Sequence, residues 1–355
     1  MRGSRAPIVS NGVLADLLWR ASEEETTHRR RALRKASGAA RFWSEEAADL
    51  AEVGRPLTEL RAVGPWVAAR IQAWLDAPPD LPEPDATRLG FLTLAEVRAV
   101  LDGDPAWEGT PHADLQVHTT DSDGSLPLRE MAGTARGLGR SFIAITDHSR
   151  SLTIANGMSE ERLADQIARI DELNGELADS GDGFRILRSM EMDVFVDGSA
   201  DMEPGALAPL DIVLGAFHSK LRLREDQTER YLKTLRNPSV HVLAHPKARM
   251  YGRRVGLEAD WPRVFAEAAQ QGKAIELDAT PARQDLGVEL ARVAEAEGVE
   301  WFSIGSDAHA AHELEFLPFG MATAVLAGIP RARILNYRPV EQVIAWAAAL
   351  RARSI

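Results

Sequence analysis

Residues 118–123 carry an imidazole and two carboxylates close together. His118 follows a short apolar strand at 115–117, and Asp121 and Asp123 lie in the polar turn after it. Nitrogen and oxygen donors at this density are unusual in a hydrophobic core, and they are common where side chains converge on a divalent metal ion. The stretch therefore predicts a metal site at the end of a strand.

Apolar runs of strand type recur along the rest of the chain and alternate with helical segments such as 163–178 and 261–271. This alternation predicts an α/β fold with a largely parallel sheet, and it favours a barrel. In such barrels the active site lies at the carboxyl ends of the strands. The predicted strands are 115–117, 141–146, 185–190, 212–217, 240–244, 273–277 and 301–305.

A side chain able to bind a metal follows most of these strands. Five of the nine histidines lie at such a strand end, together with three carboxylates, whereas a lone histidine there is more often structural. Because the carboxyl ends of parallel strands share one rim, we expect these side chains to form a single metal centre. They are His118, Asp147, His148, Glu191, His218, His245, Asp307 and His309.

These residues resemble the motif set of the PHP (polymerase and histidinol phosphatase) domain over residues 111–335. The resemblance implies a distorted (β/α)7 barrel that holds up to three divalent metals and cleaves phosphoester bonds. The metals would be Mn²⁺ or Zn²⁺, with Fe²⁺ as an alternative. The matching motifs are His118 to Gly124, Thr146-Asp147-His148, Glu191, Phe217-His218-Ser219, Ala244-His245-Pro246 and Ser306-Asp307-Ala308-His309.

The resemblance also implies a role for each ligand. Gln116 stands where many members of the family have histidine. A glutamine at this position resembles the PHP domain that is appended to bacterial family X polymerases. An amide oxygen is a weaker ligand for zinc but acceptable to manganese. The resemblance implies that the first metal is held by His118, Glu191 and Asp307, with Gln116 beside them. It implies that Glu191 also binds a second metal, whose other ligands are His218 and His245. The implied ligands of the third metal are Asp123, His148 and His309.

Hydrolysis by a metal-activated water fits the composition. A phosphodiester is an anion that repels hydroxide, and metals about 3.5–4 Å apart activate water and clamp the reacting oxygens. The sequence has no cysteine and no Gly-x-Ser-x-Gly turn that would present a nucleophilic side chain. We expect Glu191, Asp307 and His148 to act in catalysis and Arg254 and Arg283 to position phosphate. Further basic candidates on the rim are Lys220, Arg222, Arg249 and Arg253.

The N-terminal region predicts three helices, at 14–19, 29–40 and 44–53, and then a helical hairpin in which Gly64 forms the turn and Pro65 opens the next helix. Free N–H groups at a helix N-terminus can bind phosphate. The region resembles the helix-hairpin-helix domain of family X DNA polymerases, although Ala62 stands where a glycine is usual. A plain packing hairpin and a solvated basic helix face are the alternatives. The DNA-binding candidates are Arg30, Arg31, Arg34, Lys35, Gly64 and Arg70.

The expected domains are a helical hairpin domain at 1–77, a linker at 78–110 and the metal-dependent domain at 111–355. Pro78, Pro79, Pro82 and Pro84 mark the linker, which carries a short helix at 94–101. Family X polymerases continue with a palm domain that has paired aspartates on a strand. No segment here has room for one, so we predict no polymerase activity.

Composition limits the remaining choices. The net charge of −12 makes non-specific DNA binding unfavourable, so a nucleic-acid role needs a local basic face. The lack of cysteine excludes disulfides and thiolate zinc sites. Without a signal peptide or an apolar run of about 18 residues, we expect a cytoplasmic chain with no membrane span.

Three functions stay open at this point. The first is a 3′–5′ DNA exonuclease or DNA 3′-end repair enzyme, which the N-terminal resemblance favours. The second is a small-molecule phosphatase of the histidinol-phosphate type, which the acidic charge favours mildly. The third is a DNA-binding protein with a non-catalytic PHP domain. The partner is accordingly a DNA end or a small phosphorylated substrate, and the oligomeric state stays open.

Overall fold

The computed structural model describes residues 9–79, 84–109 and 111–352. The chain divides into two compact units, Met1–Gly103 and Asp104–Ile355. Pro82 of the predicted linker lies outside the described residues, as do both ends of the chain. None of the described helices is long and apolar enough to cross a membrane.

The first unit is a set of helices around an apolar core that includes Leu14, Leu18 and Leu33. The Ser10 hydroxyl caps the first helix by accepting from the N–H of Val13, which explains why this helix begins earlier than predicted. Its bounds and those of the following helices are α1 Asn11–Glu23, α2 Thr27–Ala40, α3 Ala47–Glu52, α4 Pro65–Asp76 and α5 Leu94–Asp102.

The predicted hairpin is present with a shorter first arm. A 3-10 turn at Leu57–Glu59 replaces the expected helix, and Pro65 opens α4 with Gly64 as its N-cap. Ala62 takes the left-handed conformation at φ +65°, which costs an L-residue about 1–2 kcal/mol and is the reason glycine is usual there. The backbone thus makes the tight turn in spite of the missing glycine.

Helix α5 packs with the first unit. A capping box fixes its start, because Thr93 Oγ1 accepts from the N–H of Glu96 (3.3 Å) while Glu96 Oε2 accepts from the N–H of Thr93 (2.7 Å). The N–H of Leu94 also donates to the carbonyl of Arg41 at the end of α2 (2.9 Å). The described part of the predicted linker before Gly103 therefore belongs to the compact N-terminal unit.

The second unit is built on parallel strands. They form two sheets, one of three strands in the order β1-β2-β3 and one of five in the order β4-β5-β6-β7-β8. Most are short apolar runs buried on both faces, as parallel strands usually are. The strands are β1 Ala113–Val117, β2 Phe142–Ile145, β3 Arg185–Arg188, β4 Glu191–Asp193, β5 Leu214–Ala216, β6 Val242–Leu243, β7 Ala274–Asp278 and β8 Trp301–Gly305.

Backbone hydrogen bonds join the two sheets at both junctions. On one side the N–H of His118 donates to Ala308 (2.9 Å), next to β1 and β8. On the other, the predicted strand 185–190 breaks after β3, and the N–H of Glu191 in β4 donates to Thr146 after β2 (3.2 Å). The fold is α/β with parallel sheets, and the closed (β/α)7 barrel stays a prediction.

Helices separate all of these strands except β3 and β4, and the last helix covers the amino ends of the strands. Trp346 Nε1 donates to the carbonyl of Gly272 just before β7 (3.2 Å), and Arg351 donates to Leu210 before β5 (2.5 Å). The carboxyl ends are left to the loops that carry the predicted ligands. The helices are α6 Leu128–Gly137, α7 Glu160–Asp179, α8 Pro204–Leu207, α9 Thr228–Arg236, α10 Trp261–Gln271, α11 Val288–Ala296, α12 Leu317–Ala327 and α13 Val340–Ala352.

Candidate metal centre

The histidines and carboxylates at the strand ends converge in three groups. Within each group, one nitrogen or oxygen of every member lies within 4.8 Å of the others. Several residues belong to two groups, so the groups adjoin one another. They are His118, Asp123, His148 and His309; His148, Glu191 and His218; and His118, Glu191 and Asp307.

Glu191 lies at the centre of these contacts and is buried. Its Oε1 is 3.2 Å from His218 Nε2 and 2.6 Å from His245 Nε2. Its Oε2 is 3.4 Å from His118 Nε2 and 3.1 Å from His148 Nδ1. Each carboxylate oxygen therefore faces its own pair of imidazoles, an arrangement that is compatible with a carboxylate shared by two cations.

The third group lies on the open side of the centre. Asp123 Oδ1 is 3.2 Å from His309 Nε2 and 3.6 Å from His148 Nε2. The side chains of Asp123 and His309 are 36% and 30% exposed, whereas those of His118 and Glu191 are fully buried. The centre is therefore open to solvent on the side of Asp123 and His309.

Asp307 joins the first group to a basic residue. Its Oδ1 is 3.1 Å from His118 Nε2, and its Oδ2 is 3.0 Å from Arg283 Nη1. Burial alone would raise the pKa of Asp307, but the Arg283 guanidinium and the His118 ring hold it well below its usual value. Asp307 also has φ +53°, one of the left-handed non-glycine positions that the loops around the site contain.

Asp193 supports His218 from behind, and sequence reasoning missed it. Asp193 Oδ1 lies 3.4 Å from His218 Nδ1 and accepts from the backbone N–H of His218 (3.2 Å), while Ser151 Oγ donates to Oδ2 (2.7 Å). A carboxylate in this position orients a metal-binding imidazole. Asp193 is two residues beyond Glu191 on one strand, so the period of two could have indicated it.

Asp147 folds the polar turn instead of facing the metal groups. Its Oδ1 accepts from the N–H of Thr119 (2.8 Å) and from Ser122 Oγ (2.5 Å), and its Oδ2 accepts from Thr119 Oγ1 (2.6 Å) and Gln166 Nε2 (2.6 Å). These bonds hold the turn that presents Asp123. Gly124 closes the turn, because a Cβ there would lie 2.7 Å from the backbone of His118.

Asp121, the other carboxylate of the turn, is held outside all three groups. It accepts from Gln166 Nε2 (2.8 Å) and pairs with Arg169 Nη2 (2.9 Å), both on α7. The turn therefore separates its two carboxylates: one faces the histidines and the other anchors the turn to a helix.

Gln116 contacts Glu276, a buried carboxyl that sequence reasoning also missed. Assigned from its neighbours, the amide nitrogen of Gln116 faces the two oxygens of Glu276 at 2.5 and 3.0 Å. Glu276 Oε2 also accepts from the N–H of His245 (2.8 Å) and so fixes that ligand's backbone. A Cβ at Gly305 would lie 2.6 Å from Cβ of Gln116, so this approach needs glycine. Ligation by Gln116 stays a prediction.

The predicted basic residues differ in their surroundings. Arg283 contacts Asp307 as described, and Arg254 is half-buried with its Nε donating to the carbonyl of Ala248 (2.5 Å). Arg249 is buried and donates from Nε to the carbonyl of Arg283 (2.9 Å), which makes it a structural support of that loop. The remaining candidates, Lys220, Arg222 and Arg253, are exposed.

The donors fit the metals that the sequence predicts. The Nε2 atoms of His118 and His218 are buried and make no hydrogen bond of good geometry within the described chain, although carboxylate oxygens lie 3.1–3.4 Å away. Nitrogen and oxygen atoms that face one another without aligned hydrogen bonds suit a shared cation. Imidazole and carboxylate ligands without thiolate are suited to Mn²⁺, Zn²⁺ or Fe²⁺.

The DNA-binding candidates of the first unit are partly engaged in internal contacts. Arg30 Nε donates to the carbonyl of Ser22 (3.1 Å), Arg34 Nε donates to its hydroxyl (3.4 Å), and Arg70 pairs with Glu25 (3.2 Å). The other three candidates, Arg31, Lys35 and Gly64, are exposed.

One aromatic ring brings the basic helix next to the hairpin. The guanidinium carbons of Arg29 and Arg70 lie 5.1 and 6.0 Å from the ring centre of Trp66, which follows Pro65 at the start of α4. Both guanidiniums also contact Glu25. The beginning of α2 and the hairpin turn therefore lie on the same side of this unit.

No family model matches the chain. Over 239 residues, or 67% of the chain, it is 38% identical to the DNA polymerase/3′-5′ exonuclease PolX of Bacillus subtilis, and it spans 41% of that protein's length. It is 26% identical over 239 residues to a probable phosphatase of Syntrophotalea carbinolica, covering 63% of this chain and 90% of that one. The similarity supports a PHP-type domain. We use this name for the domain that carries the three ligand groups.

Two solved structures are similar to the chain at low sequence identity. The histidinol phosphate phosphatase of Lactococcus lactis, complexed with zinc, L-histidinol and phosphate, gives a TM-score of 0.40 at 14% identity, covering 69% of this chain and 94% of that one. The putative histidinol phosphatase of Listeria monocytogenes gives a TM-score of 0.46 at 12% identity, covering 57% of this chain and 96% of that one.

Metal binding to the PHP-type domain is expected to release protons and to weaken as the pH falls. Burial alone would lower the pKa of His218 and His309, but neighbouring carboxylates raise it, to about 9 and about 10. Both rings are then protonated at pH 7 in the metal-free chain, and a metal ligand must be neutral. Calorimetry with Mn²⁺ in buffers of different ionisation enthalpy should show proton release and an affinity that rises from pH 6 to pH 9.

A matched pair of histidine variants controls this measurement. His309→Gln removes one predicted ligand and should lower the metal content by one ion, whereas His312→Gln changes an exposed histidine three residues away and should not. Metal affinity independent of pH, or less than one ion per wild-type chain after reconstitution, would contradict the assignment of these ligands.

Proposed function

We propose that this chain is a metal-dependent phosphoester hydrolase that acts on DNA 3′ ends, as a 3′–5′ exonuclease or in 3′-end repair. The observation that carries the hydrolase is the buried Glu191 carboxylate, whose two oxygens face separate pairs of imidazoles. The named relatives, which include a polymerase/exonuclease and several probable phosphatases, support the same class of reaction.

Each of the three implied metal ions would have its own set of ligands. His118, Glu191 and Asp307 would hold one ion, Glu191 with His218 and His245 a second, and Asp123, His148 and His309 a third. When bound, divalent ions supply an activated water and neutralise the charge of the phosphate.

Arg283 complements these ligands from the direction of Asp307. Its guanidinium keeps Asp307 ionised, and we expect it to contact a phosphate oxygen of the substrate. The deep position of Glu191 keeps bulk water from its carboxylate, so the charge on that group acts in a medium of low polarity.

We also infer the finer architecture from the contacts at the sheet junctions and in the first unit. The backbone bonds beside β1 and β8 and between β2 and β4 support a closed (β/α)7 barrel. The left-handed Ala62 and the N-cap position of Gly64 support a helix-hairpin-helix that contacts a DNA phosphate. The proposed domains remain 1–77, 78–110 and 111–355, with the part of the linker before Gly103 packed on the first.

A small-molecule phosphatase of the histidinol-phosphate type is the second candidate. The probable phosphatases match this chain over 90% of their own length, and the net charge of −12 does not favour a polyanionic substrate. A non-catalytic PHP-type domain is not favoured, because the groups hold seven of the eight implied histidine and carboxylate ligands and the eighth, His245, lies 2.6 Å from Glu191.

Glu191→Gln tests the catalytic role of the bridge. The substitution keeps the size of the side chain but removes its charge and replaces one oxygen with a nitrogen that cannot ligate. We expect the loss of at least one metal and a fall in kcat of roughly a hundredfold or more on a single-stranded DNA substrate with Mn²⁺. Glu172→Gln, on the exposed face of α7, is the control and should retain full activity.

Turnover near that of the wild type in a folded, fully metallated Glu191→Gln protein would contradict the bridging role. Circular dichroism and a DNA-binding titration on the same sample separate a catalytic defect from a folding defect. Binding should survive, because it is assigned to the other unit. Assays of wild type on single-stranded DNA, abasic duplex and histidinol phosphate, each with Mn²⁺ and Zn²⁺, decide between the two candidate substrates.

Arg31→Ala and Lys35→Ala test whether the first unit binds DNA. Both side chains are exposed on α2, and the removal of one phosphate-binding charge should reduce the slope of log affinity against log salt by about one. Arg98→Ala, exposed on α5, is the charge-matched control and should leave the slope unchanged. Equal slopes in all proteins would show that this basic face does not bind the DNA backbone.

A further inference from the structure

Three arginines beside the metal centre have no carboxylate partner. Within residues 111–352, which the structure describes without a gap, no ion pair involves Arg222, Arg253 or Arg254. Other arginines of the same unit are paired, such as Arg188 with Asp211 at 2.8 Å and Arg236 with Glu267 at 2.7 Å. Other arginines of residues 111–352, such as Arg185 and Arg224, also form no ion pair, so the feature that distinguishes these three is their grouping near Arg283.

The loop that carries two of them is fixed against the loop of Arg283. After β6 the chain makes a tight turn in which the N–H of Met250 donates to the carbonyl of Arg254 (2.9 Å). The N–H of Tyr251 donates to Ala282 (2.8 Å), and Arg249 Nε donates to the carbonyl of Arg283 (2.9 Å). Arg253 and Arg254 therefore lie on a turn that hydrogen bonds hold against the loop of Arg283, the residue that contacts Asp307.

Arg222 lies on the loop after β5, four residues beyond His218, and it is close enough for its charge to act on Arg254. Burial is the largest cause of a lowered pKa at Arg254, and repulsion from Arg283, Arg222 and Arg253 lowers it further, while the Asp285 carboxylate opposes this change. Four guanidiniums thus share one region of the rim. Their mutual repulsion is unfavourable until an anion binds among them.

A single phosphate does not account for this number of charges. The phosphate at the reacting position would already face Arg283 and the metal cations. The ligands of those cations include three carboxylates, Asp123, Glu191 and Asp307. Arg222, Arg253 and Arg254 are members of none of these groups. A second anionic group on the same substrate would bring a charge that they could neutralise.

We propose that Arg222, Arg253 and Arg254 form a second phosphate site, which binds the phosphate one nucleotide away from the bond that is cleaved. The proposal rests on the proposed function and narrows its substrate to molecules with two phosphates joined through a nucleoside. A polynucleotide end and a free nucleoside bisphosphate share this chemistry. A substrate with one phosphate, such as histidinol phosphate, does not fill the site.

Binding of product-like nucleotides tests the site without catalysis. Calorimetry on the full chain loaded with Mn²⁺ compares thymidine 5′-monophosphate with thymidine 3′,5′-bisphosphate. The wild type should bind the bisphosphate about tenfold more tightly or better, which is the order expected for charge-assisted contacts. Arg222→Ala and Arg253→Ala, both exposed, should each reduce this ratio, and the double variant should bring it close to one.

Arg185→Ala is the matched control, because Arg185 is exposed at the amino end of β3, at the opposite end of the strands from the metal groups. It should leave the ratio unchanged. A wild-type ratio near one, or a ratio that the double variant preserves, overturns the proposal. Loss of affinity for both nucleotides alike also overturns it, since the arginines would then act on the first phosphate.

Hydrolysis assays distinguish a polynucleotide from a free nucleoside bisphosphate as the source of the second phosphate. They also test the proposed function separately from the second phosphate site. The wild type should cleave the dinucleotide pTpT with a higher kcat/KM than TpT, and the double variant should lose that preference. Cleavage of pTpT and of an eight-nucleotide thymidine strand indicates a polynucleotide, whereas release of phosphate from the bisphosphate alone indicates a small substrate. If no substrate is cleaved, the proposed function fails, while the binding ratio still decides the second site.

Discussion

The arrangement of the PHP-type domain depends on one buried carboxylate and the histidines around it. Taking an ionised carboxyl out of water is costly unless cations or hydrogen bonds compensate it. Burial alone would raise the pKa of Glu191, yet the rings of His148, His218 and His245 hold it well below its usual value. The charge of Glu191 is thus stabilised by the same side chains that would share metals with it.

Backbone contacts place that carboxylate. Glu191 begins β4, where the chain leaves the first sheet for the second, and its N–H bonds to Thr146 beside the loop of His148. Around it, buried acids take supporting roles: Asp193 lies behind His218, Glu276 binds the backbone of His245, and Asp147 folds the turn of Asp123. The ligands converge because separate strands end on one rim and these acids fix the loops that follow.

The sequence was informative where the chemistry is local. An apolar run followed at once by histidine or carboxylate predicted the positions of His118, His218 and Asp307, and the structure brings them into the metal groups. The same local signal did not distinguish Asp147, which follows β2 in the same way but bonds to the polar turn. Its partners come from a turn and a helix that are distant in sequence, so only the tertiary structure reveals its role.

Other features depended on contacts that no short pattern contains. The run 185–190 reads as one strand, but it ends at β3 because the next residues pair with β5 instead of β2. The hairpin was predicted from Gly64 and Pro65, while the left-handed Ala62 emerged only in the structure. The overall acidity likewise conceals the unpaired arginines beside the centre, since a net charge averages over the surface.

Anomalous diffraction from crystals of the full chain grown with Mn²⁺ tests the bridging role of Glu191 most directly. We expect two peaks on either side of the Glu191 carboxylate, about 4 Å or less apart, and a third beside Asp123 and His309. The peaks should disappear after treatment with a chelator while the fold remains. An absence of peaks next to Glu191, or a single ion that does not contact its carboxylate, would contradict the bridging role of Glu191.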